Sequence, residues 1–239
     1  QGEAPPTSGA QGLRNWPWIA TAAALLIAVA VLAFVLAQFR ETPGPVLLAN
    51  IATPEATTLV LDFAISPDGR FLVMAPEAKG QLQLWLRKMD TNELLPLPNT
   101  EGAVRPFWSP DSREIAFFAS GKLKKVAVSG GPVQSLCDVA DPQGGSWSPG
   151  GVIVFSPGRR GISIQRVSSS GGIAIDATTT KGDLESPVFL PDGRRFLYVA
   201  RGETAESSGV FVSSLDGTEN RRLLADVSPA VFAPSAEGH

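Results

Sequence analysis

The chain has 239 residues, a formal net charge of −3, 24 glycines, 20 prolines, one cysteine and one histidine. The slight acidity leaves no basic footprint for nucleic acid, and one cysteine excludes an intrachain disulfide framework. The length suits one domain of fair size with appendages, and the Gly and Pro content suits a chain with many turns.

Residues 1–15 are polar and rich in Gly, Pro and Ala, the composition of a flexible linker. From 16 to 39 the chain changes character: Ile19 to Leu36 carries no charge and a single hydroxyl, Thr21. About 20 apolar residues cross a bilayer core, so 16–39 is predicted as a transmembrane helix. Trp16 and Trp18 are placed as interfacial anchors. Arg14 and Arg40 flank the stretch almost symmetrically, so charge leaves the orientation unspecified. A helix lying on the membrane surface would need a polar face, which this stretch lacks. A buried globular helix this long and this uniformly apolar does not suit the repeats that follow. A signal peptide cleaved after Val35-Leu36-Ala37 stays open as an alternative, although a linker ahead of the segment favours a permanent anchor. A connector over 40–59, punctuated by Pro43-Gly44-Pro45, leads out of it.

Residues 60–239 carry a recurring turn. It reads Ser66-Pro67-Asp68-Gly69, Ser109-Pro110-Asp111-Ser112, Ser148-Pro149-Gly150-Gly151 and Leu190-Pro191-Asp192-Gly193. The prolines lie 43, 39 and 42 residues apart, and a degenerate fifth copy, Val231-Phe232-Ala233-Pro234-Ser235, follows after another 43. Proline presets φ for the second position of such a turn, and Asp and Gly suit the positions after it. Each turn is followed by a short apolar run: Phe71 to Met74, Ile115 to Phe118, Val152 to Phe155, and Phe196 to Val199. These read as strands buried on both faces. A second strand is predicted around Leu82 to Leu86, Val126 to Val128, Ile162 to Ile164 and Val210 to Val212. A tight hairpin follows at Asp90-Thr91-Asn92, Gly130-Gly131, Gly171-Gly172 and Asp216-Gly217. A third strand is predicted at Leu94-Leu95, Val133 to Leu136, Ile173 to Ile175 and Leu223-Leu224. A fourth leads into the next turn, as in Arg105-Pro106-Phe107-Trp108.

A period of about 40–45 residues with four strands per repeat is the signature of a propeller blade. The fold class is therefore all-β: a β-propeller of four-stranded blades, with about four blades and the start of a fifth, behind one transmembrane α-helix. Four blades and a fragment would leave a ring unfinished, so the chain is expected to be part of a longer protein. Trp108, Trp147, Phe189 and Ile65, each two places before a turn proline, are expected to pack blade on blade. The clusters Lys122, Lys124, Lys125 and Arg221-Arg222 are read as solvated strand edges.

The turns with Pro67, Pro110, Pro149 and Pro191, the preceding Trp108 and Trp147, and the Gly/Asp hairpins resemble TolB-like, WD-repeat-like β-propellers over about residues 60–239. Ser112, Gly150 and Leu190 depart from the motif at single positions. The order of linker, span and blades also resembles the rear half of bacterial membrane serine/threonine protein kinases. That resemblance implies an extracytoplasmic, periplasmic propeller acting as a sensor for a protein or peptide ligand, with a kinase domain ahead of Gln1. ATP and Mg would belong to that domain alone.

No catalytic, cofactor-binding or metal-ligating residue is assigned in this chain, and no ligand-binding residue either. The only histidine is His239, and no Gly-x-Ser-x-Gly, His-Glu-x-x-His, Cys-x-x-Cys or kinase motif occurs. Asp68, Asp111 and Asp192 lie in separate repeats, where turn formation explains them. Pro76 to Gly80, Pro157 to Gly161 and Gly202 to Gly209 are the candidate binding loops. Two rival readings stay open: a TolB-like periplasmic scaffold, and the gating propeller of a prolyl-oligopeptidase-like serine hydrolase.

Overall fold

The computed structural model describes residues 21–30, 53–54, 57–78, 80–91, 93–158 and 161–231. The chain divides into two units, Gln1–Ile51 and Ala52–His239. In the first, residues 21–30 are helical, with Leu25, Leu26, Ile27 and Val29 exposed. Among the described residues no helix is long and apolar enough to cross a membrane. The rest of the predicted span over 16–39 lies outside the described residues, as does the fifth turn at Pro234.

The second unit contains four antiparallel sheets in succession. The first comprises β1 (Thr57–Ile65), β2 (Phe71–Ala78), a two-residue β3 (Gln81–Leu82), β4 (Trp85–Lys88) and β5 (Leu94–Pro96). The second comprises β6 (Val104–Trp108), β7 (Glu114–Ala119), β8 (Lys122–Ala127) and β9 (Gln134–Asp138). The third holds β10 (Gly145–Trp147), β11 (Val152–Phe155), β12 (Gln165–Ser168) and β13 (Ile175–Asp176). The fourth holds β14 (Asp183–Phe189), β15 (Arg195–Arg201), β16 (Gly209–Ser214) and β17 (Asn220–Leu224).

The blade boundary differs from the predicted one. Val104–Trp108 pairs with β7 and opens the second sheet; it does not close the first. The proline turn is the reason. A tight turn brings the strands on either side of it into register as antiparallel neighbours, so each blade starts one strand ahead of its proline. Two other strands shift as well. In the third sheet the strand after the apolar run, third in the sheet, is Gln165–Ser168; Ile162 keeps only an isolated bridge to Gly182, and Ile164 is buried just ahead of the strand. The last strand of that sheet starts at Ile175, and Ile173 is 91% exposed.

The second strand of each blade carries the core. Alternate residues point to opposite faces of a sheet. Ile115 and Phe117 pack back against Val73 and Leu86 of the first sheet, while Ala116 and Phe118 pack forward against Ile153 and Phe155 of the third. Val154 and Ile164 repeat the pattern against Phe196 and Tyr198 of the fourth. Burial on both faces is what an uninterrupted apolar run requires, at about 1.5–3 kcal/mol per large side chain.

The turns bind themselves and one another. Ser66 Oγ donates to Asp68 Oδ1 at 2.6 Å and accepts from the Phe71 amide at 2.9 Å. Ser109, Asp111 and Glu114 repeat this geometry. The third turn lacks the aspartate and is one residue shorter, its Ser148 amide donating to the Val152 carbonyl. In the fourth, with Leu190 in place of serine, Asp192 accepts from the amides of both Arg194 and Arg195. Ser112 stands where glycine is expected, at φ 59°, and its hydroxyl accepts from the Asp68 amide of the preceding blade. Glycine would relieve the backbone and lose that link.

These hydrogen bonds favour the ionised carboxylates. Asp68 is held below its ordinary range by the Ser66 hydroxyl first and then the Arg70 amide. Asp111 is lowered mainly by the Ser109 hydroxyl. Asp216, in the hairpin after β16, is lowered to about 2 by the hydroxyls of Ser214 and Thr218. A carboxylate whose folded pKa lies below its unfolded value stabilises the fold above the unfolded pKa and loses that contribution as pH falls through the folded one. Thermal unfolding followed by circular dichroism should therefore show a midpoint that declines as pH drops from about 4 to about 2. A midpoint flat across that window would contradict the turn chemistry.

Candidate functional site

The first strands of the blades lie side by side: β1 packs on β6, β6 on β10, and β10 on β14. Hydrogen bonds tie each to the next. Trp108 Nε1 donates to the Ala64 carbonyl at 2.9 Å, and the Phe189 amide donates to Ser146 Oγ at 3.0 Å. The first strands are thus the innermost ones, around which the sheets fan, as in a propeller. Trp108 and Trp147 are buried packing residues, with Trp108 stacked on Phe71 at 6.2 Å. Phe189 is half-buried, whereas Ile65, the first-sheet counterpart, is 58% exposed.

Position five before the turn proline is different in kind. It is occupied by Asp62, Arg105, Gly144 and Ser186, on or just ahead of the first strands of the four sheets. β6 and β14 each carry one extra residue here, a β-bulge, and β1 carries one just ahead of Asp62, which itself pairs with Ala75. Arg105 (φ 50°), Gly144 (φ 108°) and Ser186 (φ 52°) are left-handed. For Arg and Ser such a backbone costs on the order of 1–3 kcal/mol. Bulges re-aim side chains, and strain of this kind gathers at ligand sites.

A relay of hydrogen bonds holds the bulges in place across three blade boundaries. The Arg105 amide donates to Asp62 Oδ2 at 3.0 Å, and Arg105 Nη2 donates to Gln143 Oε1 at 3.2 Å. Gln143, 2% exposed, returns its Nε2 to the carbonyl and the carboxylate of Asp141, at 3.1 Å each. The Ser186 amide donates to the Gln143 carbonyl at 2.9 Å. Ser156 Oγ donates to the Leu184 carbonyl at 2.5 Å. Gly145, next along β10, has no room for a side chain: a Cβ would stand 2.7 Å from Phe107 Cε1 in the second sheet.

This end of the sheets is opposite the proline turns. The three candidate loops share it, since each joins the second strand of its blade to the third. Pro157 accepts from the Asp141 amide at 3.1 Å, which brings that loop beside the bulges; its residues 159 and 160 lie outside the described residues. The loop over Gly202 to Gly209 is self-bonded through Thr204, Ser207 and Ser208, and Arg201 beside it pairs with Glu185 of β14. Pro76 to Ala78 belong to β2, and Lys79 lies outside the described residues.

The aspartates Asp68, Asp111 and Asp192 are spent on turn hydrogen bonds at the other end. Lys122 pairs with Asp138. Lys125 pairs with Glu114 at 3.0 Å and lies 5.6 Å from the centre of the Trp147 ring. These lysines are on β8, which pairs on both sides because it is the third strand of four, so they are not at a sheet edge as expected; they are tied into ion pairs. Burial pushes the Cys137 thiol up to about 11, which leaves it protonated at neutral pH. Among the described residues no cluster of His, Cys, Asp and Glu is placed to hold a metal ion. The arrangement is one of sheets presenting a few polar groups around an inner rim.

No protein-family model matches the sequence, and no curated protein is similar to it in sequence. Solved structures share the fold. TolB from Acinetobacter baumannii superposes with a TM-score of 0.59 and 19% identity, covering 70% of this chain and 43% of that one. A protein assigned as TolB in Agrobacterium tumefaciens gives 0.57 and 20% identity, covering 69% of this chain and 61% of its own. Puromycin hydrolase gives 0.57 and 17% identity, over 78% of this chain and 33% of that one. At such identities the likeness is one of fold: the described sheets form a TolB-like β-propeller arrangement. The matched region spans about half the length of the two TolB chains.

Proposed function

We propose that this chain is the ligand-binding part of a single-pass membrane protein whose propeller lies outside the cytoplasm and senses a protein or peptide. The observation that carries the binding role is the run of polar positions Asp62, Arg105 and Ser186 on the innermost strands, with Arg105 and Ser186 bulged and left-handed. Packing alone gives no reason for a strained arginine there. The anchor rests on the uncharged stretch from Ile19 to Leu36 and on a helical segment with Leu25, Leu26 and Ile27 uncovered. The link to a serine/threonine kinase rests on the resemblance in domain order. In that arrangement the propeller is the non-catalytic half, and ligand occupancy biases the domain across the membrane.

A TolB-like periplasmic scaffold is the second reading, favoured by the likeness in fold to the TolB structures. A gating propeller of a serine hydrolase is the third; the puromycin hydrolase match supports it at the level of fold alone.

Fractionating cells that express the full chain with a carboxyl-terminal tag separates these readings. The anchored sensor should stay with membranes after alkaline carbonate extraction, and protease added to spheroplasts should remove the tag. A protein released by carbonate, with a new amino terminus after Ala37, would overturn the anchor and favour the scaffold.

A further inference from the structure

We propose that the inner rim between the second and third sheets binds a carboxylate-bearing peptide, with Arg105 as the residue that takes the carboxylate. This rests on the reading of the chain as a binding propeller and names the ligand chemistry for that site.

The guanidinium offers five N–H donors in a planar fork. Among the described residues only Nη2 finds a partner, the neutral amide oxygen of Gln143. No carboxylate of the described residues forms an ion pair with it. The two nearby acids are committed elsewhere: Asp62 Oδ2 accepts from the Arg105 backbone amide, and the Asp141 carboxylate accepts from Gln143 Nε2. The bulge aims Arg105 while Gln143, buried and bonded on both sides, fixes the near edge of the fork. A half-buried arginine with one neutral anchor and a vacant edge suits a planar, bidentate acceptor, and a carboxylate matches it in shape and charge.

Two cavities lie beside the chain neighbours of that group, the first of mixed lining with Ser120 and Lys122, the second mainly apolar. A cavity of about 110 Å³ is lined by Val104 and Pro142, the chain neighbours of Arg105 and Gln143. It meets a second of about 440 Å³ at Gly121, Val139 and Ala140, where Pro157 and Ile162 form the far wall. Lys122 and Asp138 on its flank neutralise each other. The site would take an acidic group at Arg105 with small residues, polar or apolar, beside it. The carboxylate can be a chain terminus or a Glu side chain.

Three octapeptide pools built from Ala, Val, Pro and Ser distinguish these sources, with affinity measured on the full chain in nanodiscs. One pool ends in a free carboxylate and one is amidated with a single Glu; the third is amidated and neutral. At least one acidic pool should bind tenfold or more tighter than the neutral pool. Arg105→Gln should bring that preference to within twofold, and Arg105→Lys should restore part of it. Equal binding of all pools, or a preference that survives in Arg105→Gln, would overturn the carboxylate while leaving the rim a binding site. No binding by any pool would also overturn it, and the wider binding role is then judged by crosslinking in cells. The comparison of pools on the unsubstituted protein does not depend on any variant folding.

Discussion

Replacing Phe118 with alanine is expected to destabilise the protein by about 3–5 kcal/mol, the usual cost of deleting a large aromatic side chain from a packed core. Phe118 is 1% exposed and lies in the contact between the second and third sheets. Its ring sits 6.1 Å from that of Phe107 and 6.4 Å from that of Phe155. The side chain cannot be replaced by collapse, because strands on both flanks are held in register by ladder hydrogen bonds. Denaturant titration provides the measurement, with Ile173→Ala as the exposed control. A loss below about 1 kcal/mol for Phe118→Ala would mean that the sheets do not stack as described.

A second large effect is expected at Gly209, the first residue of β16. Its φ is 140°, and an added Cβ would stand 2.2 Å from the Leu224 carbonyl oxygen and 2.8 Å from Arg222 Nε. The carbonyl belongs to the backbone of β17, so no side-chain rotation relieves the clash. Gly209→Ala should cost at least about 3 kcal/mol, from overpacking together with a forbidden backbone geometry. Amide exchange should show the loss concentrated in β16 and β17. Gly217→Ala, at φ 72° with nothing within 4 Å of its Cβ, should cost much less. Equal costs at the two glycines would contradict the close approach.

What could be read from the chain was the local chemistry. Proline turns and hairpin glycines carry their geometry in two to four residues, so the period and the strand content were visible. The phase of the blade was not, because a strand such as Arg105-Pro106-Phe107-Trp108 reads alike as the end of one repeat or the start of the next. Pairing decides it, and pairing is non-local. The strand at Ile162-Ile164 was misplaced by three residues because burial alone mimics a strand. Ile164 is buried, but its amide is satisfied by Thr178 Oγ1 in place of a ladder partner.

The site was missed for a related reason. The positions two places before the turns read as packing, and Trp108 and Trp147 are buried as that reading requires, so they do not mark the site. The informative signal was a proline four places before the turn proline, at Pro106 and again at Pro187. A proline inside a strand marks a bulge or an edge, and each follows a left-handed polar residue, Arg105 or Ser186. The relay that holds them, from Asp62 through Arg105 to Gln143, joins residues about 40 positions apart. No spacing within one repeat encodes it.

The central claim is that ligands meet this propeller at the bulged end of its innermost strands and leave the proline-turn end free. A photoreactive amino acid placed at position 186 in one version of the full chain, and at position 111 in another, tests it directly in cells. Illumination should yield a discrete, saturable adduct from position 186 and none from position 111. Adducts from position 111 alone would place recognition at the opposite end and contradict the account.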